Sequence, residues 1–544
     1  MICRLRKSSV PWRAASRAVT RLVLASAAFR QANRSRRGMV LVIVLVTVMF
    51  LSLAAYSFAQ FMLAQYEAAD LTGRQIQARQ LVDSGVEAIR LFLVQDETGQ
   101  RDAGGVYDNP ESFRGVLVLD SPDPAARGNF TVLAPTVNDL GQFDGLRFGL
   151  EDESARLNLN ALLLADEQQE NGGRDLLMGL PAMTQDTADA IMDWLDDDDE
   201  VREFGAELDH YSSLDPPYQP KNGPLATVEE LLLVRGVTPQ LLFGADVNRN
   251  GLVDPQEQGL AIPGDPGDGS LARGWSAYLT LYSLEKNQNE AGQPRIFVNG
   301  TDMAALFAEL EQAFDVNTAT FIVAFRQNGS YSGSQPASGQ AAGTLDLTKE
   351  GKYPITQLLD LVGKRVRVKF DGDEDSSVLE SPFAPGLAMT AWLPTLMDNA
   401  TVNPEPTIPG RVNINQAPRA VLLGIPGMPD DLVDKIVSAR AQFDPLDDSP
   451  NHRHETWLLT DGLLVNEVGE PDLATMKTLQ PFLCAGGDVR RAQVIGYFQD
   501  GTASARVEVV LDGSGGIPRV LLWRDLTRLG RGHALETLGV EVDD

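Results

Sequence analysis

Between Met39 and Ala59 the chain reads MVLVIVLVTVMFLSLAAYSFA, 21 residues without a formal charge. As a helix rising about 1.5 Å per residue, the run spans a hydrocarbon core of about 30 Å, so the rest of the chain has to fold beside a membrane. A cleaved secretory signal is the competing reading, but its apolar region usually runs about 7–15 residues and ends at a small-residue cleavage site. Residues 1–38 carry ten Arg and Lys and no acid. The positive-inside bias keeps that end in the cytoplasm and sends everything after Ala59 across the membrane.

Beyond the span the chain is acidic. The 75 Asp and Glu against 46 Lys and Arg give −29 overall, and −39 once residues 1–38 are set aside. Phosphate backbones are bound by neutralising them, so no nucleic-acid partner is expected and a cation such as calcium is the better one. At roughly 100–200 residues per domain, 544 residues could fill about three. Two cysteines, Cys3 and Cys484, make no disulfide framework.

Helical spacing continues past the membrane, with Leu71, Ala78, Leu81, Val82, Val86 and Ile89 recurring at three, four and seven within Phe61–Val94. From Asp96 to Gly149, turn residues separate the short apolar runs Val116–Leu119 and Phe130–Leu133, which predicts strands. Residues 150–245 turn helical around Thr187–Leu195 and Thr227–Val234, the second opened by a capping box of Thr227 and Glu230. Arg156-Leu-Asn-Leu-Asn160 recurs as Arg411-Val-Asn-Ile-Asn415, and Arg295–Asn299 starts a degraded third copy. In the second copy the turn Gly424-Ile-Pro-Gly-Met428 joins two helices as in a helix-hairpin-helix. Gly329–Gly343 and Asn399–Pro409 read as linkers. Arg491–Tyr497, Ala503–Leu511 and Arg519–Trp523 close the chain as an antiparallel meander.

The sharpest motif is Asp246-Val-Asn248-Arg-Asn250-Gly-Leu252-Val-Asp254-Pro-Gln-Glu257, which fits the calcium loop D-x-[DN]-x-[DN]-G-x5-E throughout. Asp246, Asn248 and Asn250 point oxygens inward, Gly251 makes the bend, Leu252 offers its carbonyl, Asp254 reaches through water and Glu257 closes the sphere. Pro255 and the Gly/Pro-rich stretch after the loop replace an exiting helix, so the expectation is structural Ca2+ without a sensor's opening motion. A second cluster, Asp371, Asp373 and Asp375, has hard-cation ligands but lacks the glycine and final glutamate, and a solvated turn competes with it. Asp196–Glu200 places five acids at a helix C-terminus against its dipole, where something cationic is needed. His452 and His454, in an HRHE run without zinc-spaced partners, read as an exposed loop. No phosphate loop, nucleophile elbow or acid–base pair emerges, so no enzyme is expected.

Arg36-Arg37-Gly38 before Met39, the apolar helix that becomes amphipathic, and the closing sheet resemble a type IV pilin-like precursor. Glu151–Asn160, Ile191-Met-Asp193-Trp194-Leu-Asp196, Gly205-Ala-Glu207 with Tyr211, and Pro224–Leu231 are similar to the type II secretion minor pseudopilins of the K type. The likeness covers roughly residues 36–95, 150–245 and 410–530. It implies an α+β protein: a long N-terminal membrane-spanning helix, a pilin-like α/β domain with an antiparallel sheet, and a large inserted, mainly helical domain with helix-hairpin-helix-like repeats. The boundaries are then a basic prepilin-type leader 1–38, the helix 39–95, the first part of the sheet 96–149, the first repeat 150–245, the calcium loop 246–257, an unplaced insertion 258–405 with linker 329–343, the second repeat 406–487, and closing strands and tail 488–544.

The same resemblance implies cleavage after Gly38 by a prepilin peptidase and N-methylation of Met39. Most pilin-like subunits carry a glutamate at the fifth mature position; here it is Ile43, as in the K type. The implied role is a non-enzymatic subunit at the pseudopilus tip with the I- and J-type minor pseudopilins, aiding assembly and export, anchored by a single pass in the bacterial inner membrane with its C-terminal domain in the periplasm. Two alternatives stand beside it: a membrane-anchored helix-hairpin-helix nucleic-acid uptake module, with Gly424 and Gly427 on phosphate, and a calcium-stabilised envelope scaffold.

Overall fold

The computed structural model describes residues 37–138, 140–259, 262, 264, 267–337, 343–443 and 449–540. Most of the basic leader, residues 1–36, lies outside this set. The chain divides into two compact units after Gly73. In its described part the first is helix alone, the start of α1 (Arg37–Leu93). Its side chains from Met39 to Gly73 are all exposed, and among the described residues α1 is the one helix long and apolar enough to cross a membrane. Thr47 turns its hydroxyl back onto Ile43 O at 2.6 Å, which satisfies that hydroxyl within the helix.

In the second unit, Ala78, Val82, Val86, Ile89 and Phe92 of α1 are buried against an antiparallel seven-stranded sheet. Its strands are β1 (Val116–Leu119), β2 (Gly128–Val137), β3 (Phe143–Arg147), β4 (Glu151–Asp152), β5 (Val489–Phe498), β6 (Ser504–Asp512) and β7 (Arg519–Asp525). The order is β1-β2-β5-β6-β7, with β3 pairing β2 and β4 pairing β5. The strands expected at both ends of the sequence thus form one sheet. Two glycines let helix and sheet approach: a Cβ on Gly85 would stand 2.6 Å from Val494 Cγ1, and one on Gly496 would strike the Ala78 carbonyl. The opposite face, with Leu133, Ile495 and Tyr497, is covered by Leu535, Leu538 and Val540 of the tail.

Between β4 and β5, residues 157–483 build a separate core. Its helices include α2 (Leu162–Gln168), α3 (Gly172–Met178), α4 (Gln185–Leu195), α5 (Met303–Ala313), α6 (Val316–Asn328), α7 (Met389–Asn399), α8 (Arg419–Leu423) and α9 (Asp430–Arg440). Side chains of α5, α6 and α7 share this one core with both repeat copies, so the stretch 258–405 is not a separate body. Nor is Asn399–Pro409 a free linker: Ala400–Thr401 and Thr407–Pro409 pair with Ile296–Phe297 and Leu284–Lys286.

Three parallel two-residue pairs mark three copies of one device: Leu157–Asn158 with Leu279–Thr280, Ile296–Phe297 with Ala400–Thr401, and Val412–Asn413 with Leu483–Cys484. In each copy the asparagine that ends the Arg-x-x-x-Asn run clasps a later segment. Asn160 takes Leu225 N at 2.7 Å and gives to Leu225 O at 3.1 Å; Asn299 does the same with Ile355 at 2.8 and 2.9 Å. Asn415 gives to His452 O and Ala485 O and accepts from the Trp457 indole.

One local expectation fails. Val228–Leu233 is a 3-10 turn without a side-chain cap on Thr227, because Glu230 instead accepts from Ala226 N, Lys221 and the Trp194 indole.

Candidate functional site

The two cores meet at Glu151–Asn160, where each charged side chain and both asparagines have partners, Asn158 donating to the Ser283 hydroxyl at 3.0 Å. Glu151 holds Arg156 with two parallel bonds of 2.9 and 2.7 Å. Asp152, fully buried, accepts from Ser154 N, Gly487 N and Asn413 and pairs with Arg490 at 3.0 Å. Glu153 takes Arg491 of β5 and the Thr280 hydroxyl. The block is a polar joint between the sheet and the inserted core.

From α4 hangs an acidic pocket. Asp189 and Asp193, one turn apart, are both fully buried. Asp189 is matched by Arg174 at 2.8 Å, whereas Asp193 has only backbone amides and the Arg202 guanidinium 3.5 Å away. Gly205 makes room for it, since any Cβ there would collide with the Asp193 carboxylate. Arg202 is shared with Asp166 at 3.0 Å and Asp196 at 3.6 Å. One guanidinium therefore serves three carboxylates, and Asp193 Oδ2, Asp196 Oδ1, both oxygens of Glu207 and Asn222 Oδ1 are buried without partners. Burial, then the neighbouring acids, pushes the Asp196 and Glu207 carboxyls up to about 7. These buried oxygens leave the pocket with more negative charge than Arg174 and Arg202 offset. The acid run was legible as a charge imbalance, but Gly205 and Glu207 join it only through the fold.

The 246–257 loop bends on its own hydrogen bonds. Asp246 accepts from Asn250 N at 3.0 Å and Gly251 N at 2.8 Å, with Gly251 at φ +84°. Asn248 Oδ1 and Asn250 Oδ1 each take the amide two residues on, both at 2.8 Å. The Asn248 and Asn250 amides converge on Asp254 Oδ2 at 2.7 and 3.1 Å, and Glu257 accepts from Asn248 N and Asp254 N. Asp246, Asn248, Asn250, Asp254 and Glu257 are thus gathered around one bend beside the Leu252 carbonyl. Among the described residues no three His, Cys, Asp or Glu side chains stand as a ready-made metal-binding group, so an ion in either place would also need amide or carbonyl oxygens. Asp371, Asp373 and Asp375 sit exposed in the turn joining Arg365–Val368 to Ser377–Glu380, the solvated alternative.

The turn on which nucleic-acid binding would depend is occupied by protein. A Cβ on Gly424 would strike Leu176 O, and one on Gly179 would stand 2.5 Å from Gly424 N, so the two repeat turns pack against each other. Lys435 and Arg419 are already paired with Asp431 and Asp434.

A protein-family model described as type II secretion system, protein K, matches residues 155–243, the stretch that holds the joint's asparagines and the acidic pocket. A type II secretion system protein K of Klebsiella pneumoniae is 27% identical over 322 residues, 51% of this chain and 89% of that protein. Both likenesses are to the type II secretion system protein K family. A GspK-GspI-GspJ complex crystal structure from enterotoxigenic Escherichia coli overlaps 85% of this chain and 98% of the solved chain, with a TM-score of 0.32 and 11% identity.

That likeness goes with a non-enzymatic, structural protein and with the lack of catalytic motifs in the sequence. It leaves the HRHE run to structure: His454 and Glu455 are buried rather than exposed, and His452 stacks on Phe443 at 3.8 Å. Burial and the nearby Arg295, Arg453 and Arg411 hold the His454 imidazole down at about 3. Gly38 and Met39, the expected processing residues, and Ile43, the expected fifth mature position, all lie in the first turns of α1.

Proposed function

We propose that the chain is the subunit at the tip of a type II secretion pseudopilus, where it joins the I- and J-type minor pseudopilins and helps start assembly. The match to the protein K family over residues 155–243 carries this reading. The solved relative from Escherichia coli is itself a complex with GspI and GspJ. An uncharged Ile43 fits a terminal position, because a fifth-position acid serves to neutralise a neighbour's terminal amine within lipid, where an unpaired charge is costly. In this reading a prepilin peptidase cuts after Gly38, Met39 becomes N-methylated, α1 holds the protein in the inner membrane, and the rest works in the periplasm. The repeats act as helix-hairpin-helix-like scaffolding, with calcium as a structural ion.

The nucleic-acid alternative has less support, since Gly424 is spent on packing against the first repeat. The deciding experiment is mass spectrometry of the N-terminal peptide in cells with and without an active prepilin peptidase. A peptidase-dependent, N-methylated Met39 is expected. A terminus at residue 1 or beyond Ala59 would overturn the pseudopilin reading and favour an envelope scaffold.

A further inference from the structure

We propose that calcium in the 246–257 loop fastens the C-terminal tail, residues 531–540, onto the sheet; the inference rests on the calcium reading above and gives that ion a task. The loop is bonded to the sheet's second face. Gln493 of β5 donates to Arg249 O at 2.7 Å, and Arg506 of β6, fully buried, donates to Asn248 O. The loop also reaches the tail, because Asn250 Nδ2 donates to Gly532 O at 2.8 Å.

Asn250 is the fifth loop position, whose side-chain oxygen is a calcium ligand. One carboxamide would therefore face the ion with Oδ1 and the tail with Nδ2, and a bound ion fixes that orientation. The same NH2 also reaches Asp254 Oδ2, at 3.1 Å. Past Gly532 the tail is seated by Tyr497 and Thr131 hydroxyls on Leu538 O at 2.6 and 2.9 Å and by Arg114 on Glu536 O and Thr537 O.

A cation is invited from the tail side too. His533, more than nine-tenths buried, lies beside Asp254 with Nε2 unpartnered. Asp246, Asp254 and Glu257 give the loop three negative charges, which the nearby Arg273 and Arg506 offset only in part.

The test is hydrogen exchange of the full chain in detergent, with calcium or a chelator, alongside a count of bound calcium by native mass spectrometry. In the wild type, calcium should slow exchange at the amides of Leu538, Gly539 and Val540 by at least about tenfold. Asp246→Asn with Glu257→Gln should lose one calcium and the slowing together. Asn250→Asp, which keeps a ligand oxygen but loses the donor, should keep the ion and lose most of the slowing. If that double variant loses a calcium while wild-type exchange never responds to the ion, the fastening is wrong and the loop site stands. If the double variant loses no calcium, the loop site itself fails. Slowing that persists in the double variant would assign the effect to another ion and overturn the proposal.

Discussion

Glu207→Gln should change the sign of its effect on stability with calcium. The Glu207 side chain is 3% exposed, has no hydrogen-bond partner, and shares its pocket with Asp193 and Asp196. Its carboxyl stands at about 7 against an ordinary 4.5, so at pH 8 keeping it ionised in the folded state costs about 3 kcal/mol when no cation is present. Glutamine removes that cost while keeping the shape. With unfolding entropy of about 2.1 cal/mol/K per residue over a body of roughly 300 residues, the gain corresponds to about 4–5 °C in Tm in the presence of a chelator. In millimolar calcium the charged side chain becomes a ligand. An ion at 1,000 times its Kd stabilises by about 4.1 kcal/mol, more than the roughly 3 kcal/mol that glutamine gains, so a variant that forfeits the ion should then have a Tm below that of the wild type.

The assay is differential scanning calorimetry of the full chain in detergent at pH 8, wild type and variant, with chelator and with calcium. A variant stabilised equally in both buffers, with a wild type indifferent to calcium, would refute the cation argument and leave only a strained acidic pocket. A variant destabilised with chelator would refute the charge argument instead, since the carboxylate would then be making a favourable contact.

Three further outcomes are expected. His454 binds no proton in the folded state until about pH 3, against an ordinary 6.5, so its stabilising contribution is intact above 6.5 and is lost as pH falls; the loss should reach about 2 kcal/mol at pH 5, and His454→Gln should remove that part of the difference between urea midpoints at pH 7.5 and 5. Asp152→Ala removes the buried acceptor shared by Asn413, the Ser154 and Gly487 amides and the half-buried Arg490, and should cost about 3–5 kcal/mol in urea unfolding, with Asp152→Asn costing less. Gly424→Ala drives a methyl into Leu176 O and should cost at least about 1–3 kcal/mol, while a mobility-shift assay shows no DNA affinity to lose in the wild type.

Elements whose periodicity is local were legible: α1, α4 and the closing strands need only their own spacing. What joins them was less so. That β5 lies beside β2 depends on a contact between positions more than 350 apart, which no local pattern announces. The third repeat copy was faint because Phe297 stands where the other copies have asparagine, yet its Asn299 clasp is intact. The capping box at Thr227 failed since a tertiary donor, Trp194, competes for Glu230. The HRHE run read as exposed because its polar composition hides the buried partners that accept it. Calcium-loop spacing was plain in the sequence, while its bonds to Gln493, Arg506 and Gly532 belong to the fold alone.

The polarity of the Glu151–Asn160 joint follows from its task. Two apolar cores could be held together by an apolar patch at similar or lower cost, since buried ion pairs seldom add net stability over well-packed apolar groups. An apolar patch, however, tolerates sliding and rotation, whereas directional bonds do not. Asp152 alone binds β5 through Arg490, the third repeat copy in chain order through Asn413, and the strand approach through Gly487. Glu153 ties β5 to the first copy's parallel pair through Arg491 and Thr280. The bonds converge from different elements within a few residues, so any rotation of the inserted core breaks several at once. In a subunit whose sheet and inserted core must be presented to neighbours in one fixed relation, the joint supplies orientation, and the cores supply the stability.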